Sequence, residues 1–199
     1  MFDVESHVPV SVRDYLSNDP GVRSVRMAVD SLLDHPLDQV PKSLAWEELG
    51  DFYRARAAAE LTKIEWSTAV KNIWQHVWGN NMGPGWKIGS VDELFRNQII
   101  AIEECWEESC FCVVHYCRDL EFYTAIQLQS DEITIFFSLE KSGKPLIREG
   151  VDGFNWSGKK TDWEDWNMAV LSGNLCEQPD VIDAASAAAR NAITARDRF

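Results

Sequence analysis

The chain has 199 residues, 45% of them hydrophobic, and a formal charge of -13 from 32 acidic against 19 basic side chains. That balance excludes a phosphate-reading surface or an anionic-membrane face as the main binding role, because both need clustered cations. Five cysteines cannot all pair, so a complete disulfide framework is excluded, and the length and apolar content can supply a core without one.

The expected setting is the cytoplasm. The cysteines read as reduced thiols, Met1-Phe2-Asp3-Val4-Glu5 lacks the basic flank of a secretory signal, and no run approaches the ~18 apolar residues of a membrane span. Residues 1–20 are polar and form an arm or short helix that ends in the turn Ser17-Asn18-Asp19-Pro20-Gly21. Val22, Val25, Val29, Leu32 and Leu33 then recur near helical spacing up to about Asp34. Pro36 and Pro41 break the pattern, which makes His35 to Lys42 a connector and residues 1–42 an N-terminal helical lobe of one 1–199 domain.

The longest helical signal runs from about Leu44 to Trp78, with a break expected near Gly50-Asp51. Leu61, Ile64, Trp66, Val70, Ile73, Trp74, Val77 and Trp78 make a wide apolar stripe, and packing explains that stripe better than a ligand-stacking platform. Gly79 and Asn80-Asn81 stop the helix. The following loop, Gly79 to Gly89, runs toward a helix start with Lys87 close by, which is the physical recipe for anion binding. It matches neither G-x-x-x-x-G-K-[ST] nor G-x-G-x-x-G, so a turn with special backbone angles is the better reading.

Ser90-Val91-Asp92-Glu93 is a capping box, and Val91, Phe95, Ile99, Ile102 and Trp106 line one face of the helix it opens. Glu103, Glu104, Glu107 and Glu108 close that helix as two like-charged i,i+4 pairs, where the helix dipole also disfavours anions. Such a cluster is either a solvated face or a contact for something positive. Next come Cys110, Cys112, His115 and Cys117, which as a strand divide between two faces and as a helix leave Cys112 aside. Neither geometry gathers four ligands, so buried apolar thiols are expected, with no metal and no cofactor.

Phe122, Thr124, Ile126 and Leu128 alternate with polar or small neighbours, as do Ile133, Ile135, Phe137 and Leu139, and Ser130-Asp131 joins the two runs as a hairpin. Pro145 to Arg148 reads as an edge strand and Phe154 to Trp156 as a last one. Thr161-Asp162-Trp163-Glu164 reads as a second capping box, opening a helix with Trp163, Trp166, Met168 and Val170 inward and ending at Gly173. A final helix starts at Pro179 and runs through an alanine-rich stretch to about Arg196, whose small residues suit close packing or a homo-oligomer face. The fold class is therefore α+β, an antiparallel meander of four to five strands over about residues 109–156, covered by helices.

No catalytic motif emerges, so whether the chain is an enzyme is left open. The composition favours a non-enzymatic acidic protein of immunity or inhibitor type that occludes a basic protein partner through Glu103, Glu104, Glu107 and Glu108, without contacting nucleic acid or membrane. The alternative is a small-molecule binder or enzyme with a pocket between sheet and helices. Trp86, Lys87, Trp106, His115, Tyr123 and Trp156 would line it, with Glu121 and Asp131 as further polar groups. Replacing the four glutamates by glutamine is expected to slow association with a basic partner and to flatten its salt dependence at unchanged fold, as measured by stopped-flow binding. Unaltered rates would remove the patch from the interface.

Overall fold

The computed structural model describes residues 2–20, 22–33, 45–90, 110–157 and 166–199, together with Asp92, Leu94 and Arg96. Among them are five α-helices: α1 Val4–His7, α2 Val10–Leu16, α3 Arg23–Leu33, α4 Trp46–Val77 and α5 Asp180–Arg196. Seven strands form one open antiparallel sheet: β1 Lys87–Ile88, β2 Cys110–Cys117, β3 Leu120–Leu128, β4 Glu132–Lys141, β5 Lys144–Pro145, β6 Asn155–Trp156 and β7 Asn167–Ser172. Their order is β1-β2-β3-β4-β7-β6, with β5 paired to β4. The α+β architecture expected from the sequence is thus present. The meander β2-β3-β4 is its centre, and the sheet is wider than four or five strands because short pieces extend both sides.

One strand corrects the sequence reading. Residues 167–172 form β7 rather than the inner part of a helix, and β7 lies between β4 and β6, with Ile133 opposite Leu171 and Ile135 opposite Ala169. The helical spacing of Trp166 and Val170 is coincidental. In the strand, Asn167, Ala169 and Leu171 face the helices while Val170, on the other side, is 50% exposed. Thr161 to Glu164 lie outside the described residues, as do the connector His35 to Lys42, Glu93 of the Ser90 box and the cluster Glu103 to Glu108. At that box the start is visible: Asp92, Leu94 and Arg96 are helical and the Leu94 N–H reaches Ser90 O at 3.4 Å.

The 32 residues of α4 extend about 48 Å without the break expected at Gly50-Asp51. Its buried residues are Ala59, Thr62, Trp66, Ser67, Ala69, Val70, Ile73, Trp74 and Val77, one stripe at spacings of three and four. Leu61 and Ile64, expected on that stripe, are instead 52% and 48% exposed, because they fall on the opposite side of the helix from Ala59 and Thr62. The C-terminal half of α4 covers β2 and β3, while α5 covers β4 and β7. Ala185, Ala189 and Ala192 are fully buried, so the small face of α5 is spent on close approach within the chain, leaving Ala184 and Ala187 outward.

Turn chemistry fixes the strand pairings. Ser142 and Gly143, at φ 52° and 70°, make the two-residue turn from β4 to β5, and positive φ at both central positions matches the twist of antiparallel strands. Cys110 to Cys117 is a strand, and it is paired along its whole length with β3 from Cys110 opposite Gln127 to Cys117 opposite Leu120.

The N-terminal helices are tied to this frame by polar bonds as well as by packing. Asn72 Nδ2 donates to His7 O at 2.8 Å, the Ser11 hydroxyl donates to Glu65, and the Tyr15 hydroxyl donates to Asp30 at 2.8 Å. The buried Asn174, just past β7, donates from Nδ2 to Leu16 O at 2.6 Å and to Ser130 O at 2.9 Å, and its Oδ1 accepts from Cys176 N at 2.8 Å. One amide therefore joins α2, the β3–β4 turn and the approach to α5. Asn174→Ala is expected to destabilise by about 2–4 kcal/mol, since it strands the carbonyls of Leu16 and Ser130. Urea unfolding checks this against Val170→Ala, an exposed position expected to stay within about 0.5 kcal/mol.

Candidate functional site

Alternation along β2 and β3 decides where the sequence-derived pocket residues go. His115 and Phe122 are opposite each other and face α4, whereas Tyr123 faces the other side of the sheet, where its ring meets Trp166 at 5.5 Å and its hydroxyl donates to Glu121 at 2.6 Å. Trp86 packs edge-on against Phe122 at 5.8 Å. Lys87 is exposed on β1, the outermost strand at one side, and Trp156 is on β6 at the other, five strand spacings or about 24 Å away. Asp131 sits in the β3–β4 turn, where its carbonyl accepts from Gly173 N at 2.8 Å. The structure brings Trp86 and His115 to the Phe122 neighbourhood and leaves Tyr123, Trp156 and Asp131 elsewhere. Trp106 lies outside the described residues.

Around Phe122 the chemistry is buried. His115 and Arg196 are each 2% exposed. The Arg196 guanidinium lies 4.6 Å from the Trp86 ring centre and 5.1 Å from that of Phe122, donates to Met82 Sδ, and meets Asp197 Oδ1 through Nε at 2.9 Å and Nη2 at 2.7 Å. The charge is held by cation–π contact and one carboxylate, a compensated arrangement for a group withdrawn from water. His115 stacks on Trp74 at 5.8 Å with 13° between the planes, its Nε2 is 3.3 Å from Thr124 Oγ1, and its Nδ1 is buried without a partner. Burial, reinforced by the Arg196 charge, pushes the His115 pKa down from 6.5 to about 4.

Two further sequence-derived signals have plain structural placements. The Gly79 to Gly89 loop returns to the sheet edge, with Lys87 opposite Tyr116, Ile88 opposite His115, and the Gly89 N–H bonded to Val114 O at 3.1 Å. Cys110 and Cys112 face away from His115, as strand parity requires, and burial, aided by Cys112, pushes the Cys110 thiol well above its ordinary pKa. Among the described residues no trio of His, Cys, Asp and Glu side chains converges to hold a metal ion, and no helix is long and apolar enough to cross a membrane.

An accessible site lies instead where α1 and α2 meet the segment leading into α5. Phe2, Val4, Arg13, Ser17, Cys176 and Pro179, with the carboxylates Asp3, Glu5 and Asp14, line a cavity of about 610 Å³. Phe2, 3% exposed, is wedged between the rings of His7 at 5.1 Å and His76 at 5.0 Å. Asp3 is the N-cap of α1, accepting from the N–H groups of Glu5 and Ser6, and the Ser6 hydroxyl bond, foremost among these, holds its carboxyl below the usual range. The Cys176 Sγ lies 3.7 Å from Arg13 O, and desolvation raises its pKa against the opposing pull of Arg13, so it remains a thiol with little nucleophilic character. Arg13 Nε is buried without a partner. Three carboxylates, one guanidinium and an apolar floor make a cleft suited to a cation with an aliphatic stem. No sequence signal pointed here, because its walls come from residues some 160 positions apart, joined by bonds such as that from Cys176 to Arg13 (|i−j| of 163).

Comparison with known proteins adds no relative. No protein-family model, no curated protein and no solved structure matches this chain.

The buried histidine generates a pH prediction. As pH falls below 6.5, the unfolded chain takes up the proton at this position while the folded chain does not until about pH 4, so the contribution is complete above 6.5 and is lost across that interval. Going from pH 7 to pH 5, His115 alone is expected to cost about 2 kcal/mol of stability. Urea unfolding of His115→Phe against the parent at both pH values should show a correspondingly smaller loss in the variant. Equal losses would mean that His115 titrates as it does in the unfolded chain.

Proposed function

We propose that the protein is a non-enzymatic interaction module, of immunity or inhibitor type, that binds a basic partner protein. The observation that carries the reading is the cleft between α1, α2 and Pro179, whose rim carries Asp3, Glu5 and Asp14 around Phe2 and Val4. A Lys or Arg side chain of the partner would lay its methylene stem on the apolar floor and set its head among the carboxylates. The surplus of 32 acidic over 19 basic residues would draw such a partner in from a distance. The groups an enzyme would need are withdrawn: His115 and Arg196 are buried, and Cys176 is held as a thiol. The run Glu103, Glu104, Glu107 and Glu108 stays in this reading as a second acidic contact surface.

The test is a fluorescence titration with a lysine-rich peptide and a glutamine-substituted copy of it. Binding of the lysine peptide is expected to weaken by about tenfold on raising salt from 50 to 300 mM, and by about fivefold in Glu5→Gln/Asp14→Asn at low salt. The pair spares Asp3, whose carboxylate caps α1. Equal affinity for the two peptides, or full affinity in the double variant, would take the cleft out of the proposal.

A further inference from the structure

A second cavity of about 380 Å³ opens where the end of α4 meets α5, and one of its lining residues, His76, is the ring on which Phe2 packs. Its walls are His76, Asn80, Asn81, Asp183, Ser186 and Arg190. Asp183, Ser186 and Arg190 stand at i, i+3 and i+7, one face of α5 over two turns. Helical side chains lean toward the N-terminus, so Arg190 is one turn from Ser186 on the same face, with Asp183 about one turn further.

The hydrogen-bonding ledger of this cavity does not close within the protein. Ser186 is 4% exposed and its hydroxyl is buried without any partner, a state that is unfavourable unless something supplies the missing bond. Asn80 Oδ1 accepts from Gln75 Nε2 at 3.0 Å, which commits the amide oxygen and leaves the N–H groups as the donors Asn80 can offer. Gly79 leaves room for this bond, since a Cβ there would lie 2.4 Å from the Gln75 amide nitrogen and that side chain would have to shift. Asn81, by contrast, is committed, with Nδ2 donating to Val77 O at 2.7 Å at the end of α4. Arg190 forms no ion pair among the described residues. A guanidinium, a buried hydroxyl and an amide N–H thus belong to residues lining one cavity, as does the Asp183 carboxylate, 3.7 Å from His76 Nε2.

We propose that this cavity binds a small amino-acid zwitterion, its carboxylate on Ser186, Arg190 and Asn80 and its ammonium group toward Asp183. An inorganic dianion would meet Asp183 as a like charge, and a simple amine would leave the donor end unsatisfied. The volume sits at the lower end of the range for ligand sites, which suits a free amino acid rather than a peptide. The site is separate from the acidic cleft, and the proposal does not depend on what that cleft binds.

Isothermal titration of the full chain tests it, using glycine, L-alanine, L-serine and L-glutamate as probes and acetate and methylamine as half-ligands. At least one amino acid is expected to bind saturably at millimolar concentration, acetate about tenfold more weakly, and methylamine not measurably. Arg190→Gln, at an exposed position, should weaken the amino acid at least about tenfold and Ser186→Ala about threefold, with unchanged thermal melts showing that both variants fold. Absence of saturable binding by every amino acid, acetate as tight as the amino acids, or full affinity in both variants would each overturn the assignment.

Discussion

The structure depends on two indole N–H bonds. Trp74 and Trp78, one turn apart at the end of α4, are buried on the sheet, and each places its ring nitrogen on β3: Trp74 on Thr124 Oγ1 and Trp78 on Ala125 O, both at 3.1 Å. A tryptophan brings a large apolar area and one donor that must be met once water is excluded. Meeting both donors on adjacent residues of one strand fixes the height and the rotation of α4 over the sheet. From there the packing follows: Trp74 touches Phe111 and His115 on β2, and Trp78 touches Phe122, Phe137 and Phe154 toward the α5 side. Slipping the helix by one residue would unpair both nitrogens at once, so the register is set by chemistry as well as by shape.

This constraint explains what could be read from the sequence. The alternation of Phe122 to Leu128 and Ile133 to Leu139 signals strands because every second residue faces α4 and α5, and the spacing of Trp66, Ile73, Trp74 and Val77 signals a helix that covers them. Local patterns fail where pairing is settled at a distance. β7 carries a helix-like spacing of Trp166 and Val170, yet its partners Ile133 and Ile135 lie more than thirty positions earlier and decide its form. Leu61 and Ile64 look as apolar as their neighbours, and only the rotation of α4 imposed by its tryptophans turns them outward. Of the residues read as pocket candidates, strand parity alone could have separated His115 from Tyr123, whereas the distance between Lys87 and Trp156 follows from a strand order that no local signal contains.

Arg196 shows how a strongly acidic chain can still bury a cation. Its guanidinium joins the last turn of α5 to Met82 and Trp86, so the loop leaving α4 is clasped between the two helices and the edge of the sheet. The same charge lies close enough to His115 to add to the effect of burial on that ring. His115, read from the sequence as a pocket residue, and Arg196 are thus both enclosed, each 2% exposed. The lowered pKa of His115 follows from its burial first and the Arg196 charge second.

The cavities lie instead at helix ends, one where α1 and α2 meet the approach to α5 and one where the end of α4 meets α5, and helix geometry gives the reason. A helix end leaves backbone groups that neighbouring side chains must satisfy, so polar residues such as Asp3, Asn81 and Asn174 are recruited there. Phe2, in the wall of the acidic cleft, packs its ring against His7 and against His76, a residue that lines the mixed-charge cavity. The two spaces have no lining residue in common and differ in charge, because α1 and α2 present carboxylates in one while the face of α5 runs from Asp183 to Arg190 in the other.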